Sequence, residues 1–355
     1  NLSMARLEIQ RHFGEDEGIL FFARLELDED VVVYDKFYAE IPVFWDSTLT
    51  VGRFERDYEG DYRFQIGGAT DIANEAWLTD RTVDGLAFEK SFALGTFSFY
   101  AAHPEFTIRE EESLSVWEFS ALAQLQFTER FGFDIGAQFF LGDDTSVVDI
   151  EDYEFKVDSL WTLFAGLRFN FNQNIAVKGI YYYQDGSLKE NSAGAWNDVD
   201  QDSAGAWKFI VDVQQDLLGF TSLWLEYDQL DEEFFLPYGN AALTLPDEDW
   251  GNADAGTGFL GGDTKIWRVG ATQEWSEKWS TWLYVAGHTI DNAGENSAGR
   301  AQDAKMLQWG LGVQYQYNPS VAFALGYIDV DWNGDAERTG YADDHRIQFR
   351  TQVVF

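Results

Sequence analysis

The sequence predicts an all-β chain: a transmembrane antiparallel β-barrel of about 16 strands, with short turns at one end and long acidic loops at the other. Three observations predict it. Apolar and polar residues alternate with period two along nearly the whole chain. The alternating runs reach the ~9–11 residues that a tilted strand needs to cross a bilayer, well beyond the usual soluble strand of about five or six. The connections between them are alternately short and long.

Composition agrees. Aromatics make up 17% of the 355 residues, with 14 Trp, 16 Tyr and 30 Phe, and there are only 5 Pro. Such a chain favours extended strands and places where a ring meets both apolar and wet surroundings. No apolar run approaches the ~18–20 residues of a membrane helix, which excludes a helical membrane protein. A barrel strand hides its lipophilicity by alternation, so an averaged hydropathy does not exclude it. Cysteine is absent. Disulfides and thiolate metal sites are therefore excluded, and a barrel needs neither because its backbone hydrogen bonds close on themselves. A net charge of −38 opposes any nucleic-acid partner. The start, Asn1-Leu2-Ser3-Met4, shows neither the basic region nor the apolar core of a signal peptide, so the chain reads as processed.

Taken in order, residues 18–57 read as three strands, 19–28, 34–44 and 48–56. Further on, Phe119, Ala121, Ala123, Leu125 and Phe127 alternate with Glu118, Ser120, Gln124 and Gln126. A turn at Glu129-Arg130 leads to Phe131, Phe133, Ile135, Ala137, Phe139 and Leu141, alternating with Gly132, Asp134, Gly136 and Gln138. The pattern returns in Leu163 to Phe171, Ile175 to Tyr183, Trp207 to Val213, Leu223 to Tyr227, Leu307 to Tyr317, Val321 to Tyr327 and Ile347 to Phe355. Short turns lie at 128–130, 172–174, 215–218, 275–278 and 318–319. Long polar loops lie near 57–81, 104–113, 143–154, 185–204, 231–263, 291–304 and 333–343.

With Gly14 to Gly18 as a first outer loop there are eight long-side loops, hence about 16 strands with both ends on the short-turn side. Three strands within 18–57 conflict with that parity, and a missed piece near Asp28-Glu29-Asp30 would raise the count to about 18. Aromatics beside the turns, such as Phe131, Phe171, Trp275, Trp279, Tyr315 and Tyr317, read as girdles at the lipid–water interfaces rather than as core. Residues 1–355 read as one domain.

Strand parity assigns a lumen. Arg24, Glu26, Glu118, Asp134, Arg168, Lys178, Lys208, Asp212, Trp224, Glu226, Asp228, Arg268, Arg346 and Arg350 fall on the polar faces. A charge on the other face would meet lipid, at about 2–4 kcal/mol for Arg or Lys at mid-depth. Most of these charges simply brace and hydrate a wall. Acidic residues concentrate in the loops, as in Asp57, Glu59 and Asp61, so the mouth should attract cations.

One stretch has the look of a metal loop. Asp329, Asp331, Asn333 and Asp335 place oxygens at alternate positions around Gly334, like the first half of a calcium loop, but the closing Glu is replaced by Gly340. Calcium in this outer loop is the one cofactor the sequence suggests, and an acidic strand end explains the same residues. The four histidines, His12, His103, His288 and His345, are scattered, and no G-x-S-x-G nucleophile motif occurs, so no enzyme is expected.

The stretch Asp35-Lys36-Phe37-Tyr38-Ala39-Glu40 followed by Leu49-Thr50-Val51-Gly52-Arg53-Phe54 resembles an element of bacterial diffusion porins, an aromatic strand turning into one that ends in Gly-Arg. The segments Thr82 to Leu86 and Gly262 to Gly270, and the terminal Phe355, are similar to those porins too. Among them the barrel of the S-layer-homology porins is the closest in character, although no S-layer-homology domain or stalk is recognisable. The resemblance implies a bacterial outer-membrane channel, homotrimeric and surrounded by lipid, through which ions and small hydrophilic solutes diffuse, with one loop folded inward. It also implies a lumenal Arg53, which parity alone does not give because the alternation slips at Gly52. A basic ladder of Arg24, Arg53, Arg346 and Arg350 facing acids of the inward loop follows as an expectation. Two alternatives are a dedicated saccharide channel, with Trp224 stacking on sugar rings, and a structural barrel that anchors the envelope.

Overall fold

The computed structural model describes all residues except 1–3, 14–17, 29–30, 57, 60–61, 63–64, 67–72, 75–81, 110–111, 143–147, 151–152, 193–194, 215–220, 232–233, 237–257, 260–262, 292–303, 334–343 and 354–355. Seventeen strands of nine or more residues, with two short pieces (Glu105–Arg109 and Val148–Ile150), form one antiparallel sheet. They are β1 (Met4–Phe13), β2 (Ile19–Asp28), β3 (Val31–Val43), β4 (Ser47–Glu55), β5 (Thr82–Phe92), β6 (Gly95–His103), β7 (Glu112–Thr128), β8 (Phe131–Gly142) and β9 (Tyr153–Asn172). Then follow β10 (Ile175–Ser192), β11 (Ala195–Val213), β12 (Thr221–Leu230), β13 (Asp263–Ser276), β14 (Trp279–Asp291), β15 (Ala304–Asn318), β16 (Val321–Asn333) and β17 (Asp344–Val353). Each pairs with its neighbour in sequence, so the topology is a plain meander.

The parity conflict resolves at the acidic tripeptide. Asp28 pairs with Val31, so β2 and β3 are joined there by a tight hairpin. That hairpin falls on the same side as the long connections 56–81, 104–111 and 231–262. The connection 14–18 therefore belongs to the short-turn side, not to the outer side as the sequence suggested. From β2 to β17 the chain makes sixteen strands, and both ends of that set lie on the short-turn side.

Two faces follow from the period-two pattern. Phe119, Ile135, Leu163, Leu167, Phe209, Leu225, Val269, Leu311 and Leu325 are all exposed on one face. On the other, Ser120, Gln138, Thr162 and Gln184 are buried side by side in register across β7 to β10. A soluble sandwich would bury the apolar face; this sheet exposes it and buries the polar one.

Aromatics band the apolar face twice. Near the short turns, Trp279 and Tyr315 have centroids 4.5 Å apart, and Phe127 and Phe131 5.9 Å. Toward the long loops, Trp161 meets Tyr183 at 5.4 Å and Trp309 meets Tyr327 at 5.2 Å. Along β9 the bands are eight residues apart, Trp161 to Phe169, which is about 26 Å along the strand at ~3.3 Å per residue and about 20 Å in height at the ~40° tilt of barrel strands. That is of the order of the ~25 Å apolar band of an outer-membrane barrel.

Candidate functional site

The buried polar face forms the candidate lumen, and the chain that leaves β4 folds across it. Arg56, Tyr58, Glu59 and Tyr62 are each almost wholly buried against the walls. Arg56 grips Glu118 of β7 with two bonds, Nε to Oε1 at 3.1 Å and Nη2 to Oε2 at 2.6 Å. Tyr58 donates to the same carboxylate at 2.8 Å, Gln138 at 3.0 Å and Ser120 at 3.0 Å. Glu118 is thus the hub of the attachment. Farther round, Tyr62 donates to Asp134 of β8 at 2.8 Å, and Arg168 of β9 binds the other oxygen of that carboxylate at 2.9 Å. Glu59 accepts from Tyr182 of β10 at 2.5 Å and stands 3.6 Å from Lys208 of β11. The short strand Gln65–Ile66, paired with Ala73–Asn74, then rests against β13 and β14. From β7 to β14 the segment therefore bridges the lumen.

Local sequence permits this docking. Gly166 on β9 leaves room for the Tyr62 ring, since a Cβ there would lie 2.3 Å from its hydroxyl oxygen. Tyr58 rests edge-on against Tyr100 at 5.2 Å. Burial, then the charge of Glu118, holds the Tyr58 phenol well above its ordinary range, so it stays a donor. The connection after β12 contributes a second inward piece. Gln184 of β10 exchanges two bonds with the backbone of Phe235, at 2.6 and 2.9 Å, and Phe234 packs on Tyr182.

The remaining lumenal charges are largely paired with one another. Arg268 on β13 bonds to both Glu226 and Asp228 of β12, all three nearly buried. Lys178 lies 3.2 Å from Asp212 and its ammonium sits 4.9 Å from the centre of the Trp224 ring. The Trp224 indole donates to Glu226 at 2.6 Å.

Glu118, Asp134, Arg168, Lys178, Lys208, Asp212, Trp224, Glu226 and Arg268 all stand on the polar inner face, on neighbouring strands β7 to β13. Arg24 lies in a row with Glu8 and Lys36, 3.9 Å from Glu8, and Glu26 is opposite Arg6 in the same pair of strands. Arg346 and Arg350 occupy register positions opposite Ile328 and Ala324, both buried.

Arg53 stands elsewhere. It is opposite Phe37 and Asp84, on the face that exposes Val51 and Leu86, and pairs with Asp84 at 3.2 Å. Gly52 takes a positive φ of 126°, yet the register runs through it unshifted, so parity keeps Arg53 on the outer face. Of the expected arginine ladder, Arg53 therefore falls outside the lumen, and the side chains of Arg346 and Arg350 lie outside the described residues. The inward acid Glu59 meets Lys208, and the inward cation Arg56 meets the wall acid Glu118.

The suggested calcium loop is a strand as far as Asn333. Asp329 and Asp331 lie opposite Trp309 and Leu307 on the apolar face, and Asp329 accepts from Tyr327 at 2.9 Å. Extended backbone aims them along a line rather than around an ion, and Asp335 lies outside the described residues. Among the described residues no group of three His, Asp or Glu could hold a metal. Arg56, Tyr58, Tyr62 and Phe234 were missed by the sequence, where 57–81 and 231–263 read only as solvated acidic loops. Two tyrosines four residues apart beside an arginine were the available signal.

No protein-family model matches the sequence, and no curated protein matches it. Solved structures do. OpdL of Pseudomonas aeruginosa aligns with a TM-score of 0.61 at 14% identity, over 99% of this chain and 92% of that one. OccD3 (OpdP) of the same organism gives 0.60 at 12%, over 99% and 86%, and the outer membrane protein OprD gives 0.59 at 12%, over 99% and 87%. These likenesses do not support the S-layer-homology porins as the nearer comparison. They do agree on the fold: the chain has the sixteen-stranded antiparallel barrel fold of the outer-membrane type.

Proposed function

We propose that this chain is a channel of the bacterial outer membrane that passes small hydrophilic solutes and ions, and that it selects among them. The observation that carries the reading is the burial of Arg56, Tyr58, Glu59 and Tyr62 across a polar lumen whose outside is apolar and twice banded with aromatics. A barrel of this build performs no chemistry of its own; lumen width and lining charge decide passage. OprD, one of the structures of like fold, is an outer membrane protein.

Between an open diffusion pore and a dedicated channel, the lumen favours the narrower one. Tyr58, Tyr62, Phe164, Tyr182 and Phe234 form one buried cluster from wall to wall with the inward pieces. A wide pore would leave such rings wet. Acidic residues in the long connections would enrich cations at the mouth, while paired charges in the lumen give little preference of their own. Weak cation selectivity follows. Assembly as a homotrimer within the lipid belongs to the same proposal.

Reconstitution of the purified chain in planar bilayers tests it. The expected result is a small unitary conductance with a reversal potential displaced toward the cation. A chain that inserts but never conducts would instead leave the structural, envelope-anchoring alternative.

A further inference from the structure

At the short-turn end of the lumen a cavity of about 840 Å³ opens between the ends of β7 to β11. Its volume falls in the ~300–1,000 Å³ range of small-molecule sites. Apart from Ile175 and Ala176 its lining is entirely polar, and six of the side chains are amides. We propose that this vestibule is a subsite for a neutral polyhydroxylated solute, a saccharide. The inference deepens the channel reading and rests on it for the route by which the solute arrives.

The argument is one of preorganised, unspent hydrogen-bonding groups. Four amides are each fixed by one end. Gln126 donates through Nε2 to the Thr128 carbonyl at 2.5 Å, and Asn170 through Nδ2 to the Glu129 carbonyl at 3.3 Å. Gln214 donates through Nε2 to Asp212 at 2.9 Å. Asn172 accepts through Oδ1 from the backbone N–H groups of Asn174 and Ile175, at 2.8 and 3.0 Å. Among the described residues no bond occupies the opposite ends, three carbonyl oxygens and one amino group, of these four lining side chains. A hydroxyl both donates and accepts, so a ring bearing several of them matches a wall that offers acceptors in excess of donors. Groups already oriented by a second bond cost little entropy to use.

Charge points the same way. Arg168 is paired with Asp134 at 2.9 Å and Lys178 with Asp212 at 3.2 Å. Glu129 and Arg130 stand adjacent on the turn with opposite signs. In a chain of net charge −38 this end of the lumen is close to neutral, so an ionic solute gains little there. An apolar solute would strand the amides unbonded. The vestibule therefore favours a solute rich in hydroxyls and without charge.

The test uses the full chain and maltotriose as the probe, with glutamate as a charged control of the same experiment. In bilayers of known orientation, maltotriose added on the short-turn side should block the current saturably in the millimolar range, and at lower concentration than from the loop side. Glutamate should not. Gln126→Leu with Gln214→Leu should weaken the block by about tenfold, the loss of two polar contacts, while their unblocked conductance shows that they fold. Should that double variant fail to insert, Gln214→Leu alone carries the same comparison. Calorimetry of maltotriose against the detergent-solubilised chain gives a reading independent of conduction. Binding there that the substitutions remove, with no conductance at all, would sink the channel and keep the subsite. Channels that conduct, with neither block nor heat up to tens of millimolar, or a block indifferent to both substitutions, would overturn the subsite and leave the channel standing.

Discussion

Replacing Glu118 by Ala should release the segment that crosses the lumen. The side chain is fully buried and receives five contacts, two from Arg56 and one each from Tyr58, Gln138 and Ser120. Removing one partner of such a buried ion pair costs about 3–5 kcal/mol, because the other charge is left unpaired out of water. Undocking relieves that cost by hydrating Arg56. What opposes undocking is chiefly the burial of the Tyr58 and Tyr62 rings, each of the order of 1.5–3 kcal/mol. The two terms are of equal size, so the variant should move the segment from wholly docked to substantially released. Unitary conductance should then rise, and trypsin should cut after Arg56, which is shielded in the parent. Arg56→Met combined with Glu118→Leu replaces the pair by apolar groups of similar volume and should restore both the low conductance and the protection, a strongly non-additive result. If Glu118→Ala conducts like the parent and Arg56 resists trypsin, the segment is not held as described here.

Three further outcomes follow from the same geometry. Gly166→Val puts a side chain where the Tyr62 hydroxyl lies and should raise conductance without impairing insertion, checked by single-channel recording beside heat-modifiable gel mobility. The folded state binds Tyr58 as the neutral phenol, raised by burial and then by Glu118, so its contribution is complete below the ordinary value of 10.0 and is lost as pH rises above it. Alkaline titration should thus open the parent channel above about pH 10, and the opening should be blunted in Tyr58→Phe. Ala165→Arg places a charge midway between the two aromatic bands of the exposed apolar face and should cost about 2–4 kcal/mol of barrel stability in urea titrations from lipid.

The barrel was legible because its signal is local and repeated. In the hairpin of β7 and β8 the alternation alone put Phe119, Ala121 and Ala123 on one face with Ile135, Ala137 and Phe139, and the structure pairs those rows with each other. Parity was lost at one place, the acidic tripeptide Asp28-Glu29-Asp30. The hairpin between Asp28 and Val31 is made of acidic residues, while the glycines of 14–18 drew the outer loop to the wrong place. The lumen wall could be read from parity, but not what fills it. Tyr182 and Glu59 are 123 residues apart, and nothing in an acidic loop distinguishes a carboxylate bound for a buried tyrosine from one bound for solvent. Arg53 shows the opposite risk. A motif resemblance carried it inward, whereas the unbroken register at Gly52 keeps it out.

The seventeenth strand raises a question of seam. β1 has the two-faced pattern of the rest, with Leu7 and Ile9 exposed, and it pairs antiparallel with β2 along its full length. β17 runs in the same direction as β1, so an even barrel of β2 to β17 closes by pairing β17 with the same edge of β2 that β1 occupies. In lipid that edge cannot stay unbonded, since each unsatisfied backbone group costs several kcal/mol. One strand must hold it. If β1 stays, it meets β17 in a parallel pair, whose slanted bonds are the weaker kind. An all-antiparallel seam is therefore the better closure, and it needs β1 displaced. A chain lacking residues 1–13 should consequently still insert and conduct, with unchanged heat-modifiable mobility. Failure of that shortened chain to form a barrel would make β1 part of the wall and the barrel odd-stranded.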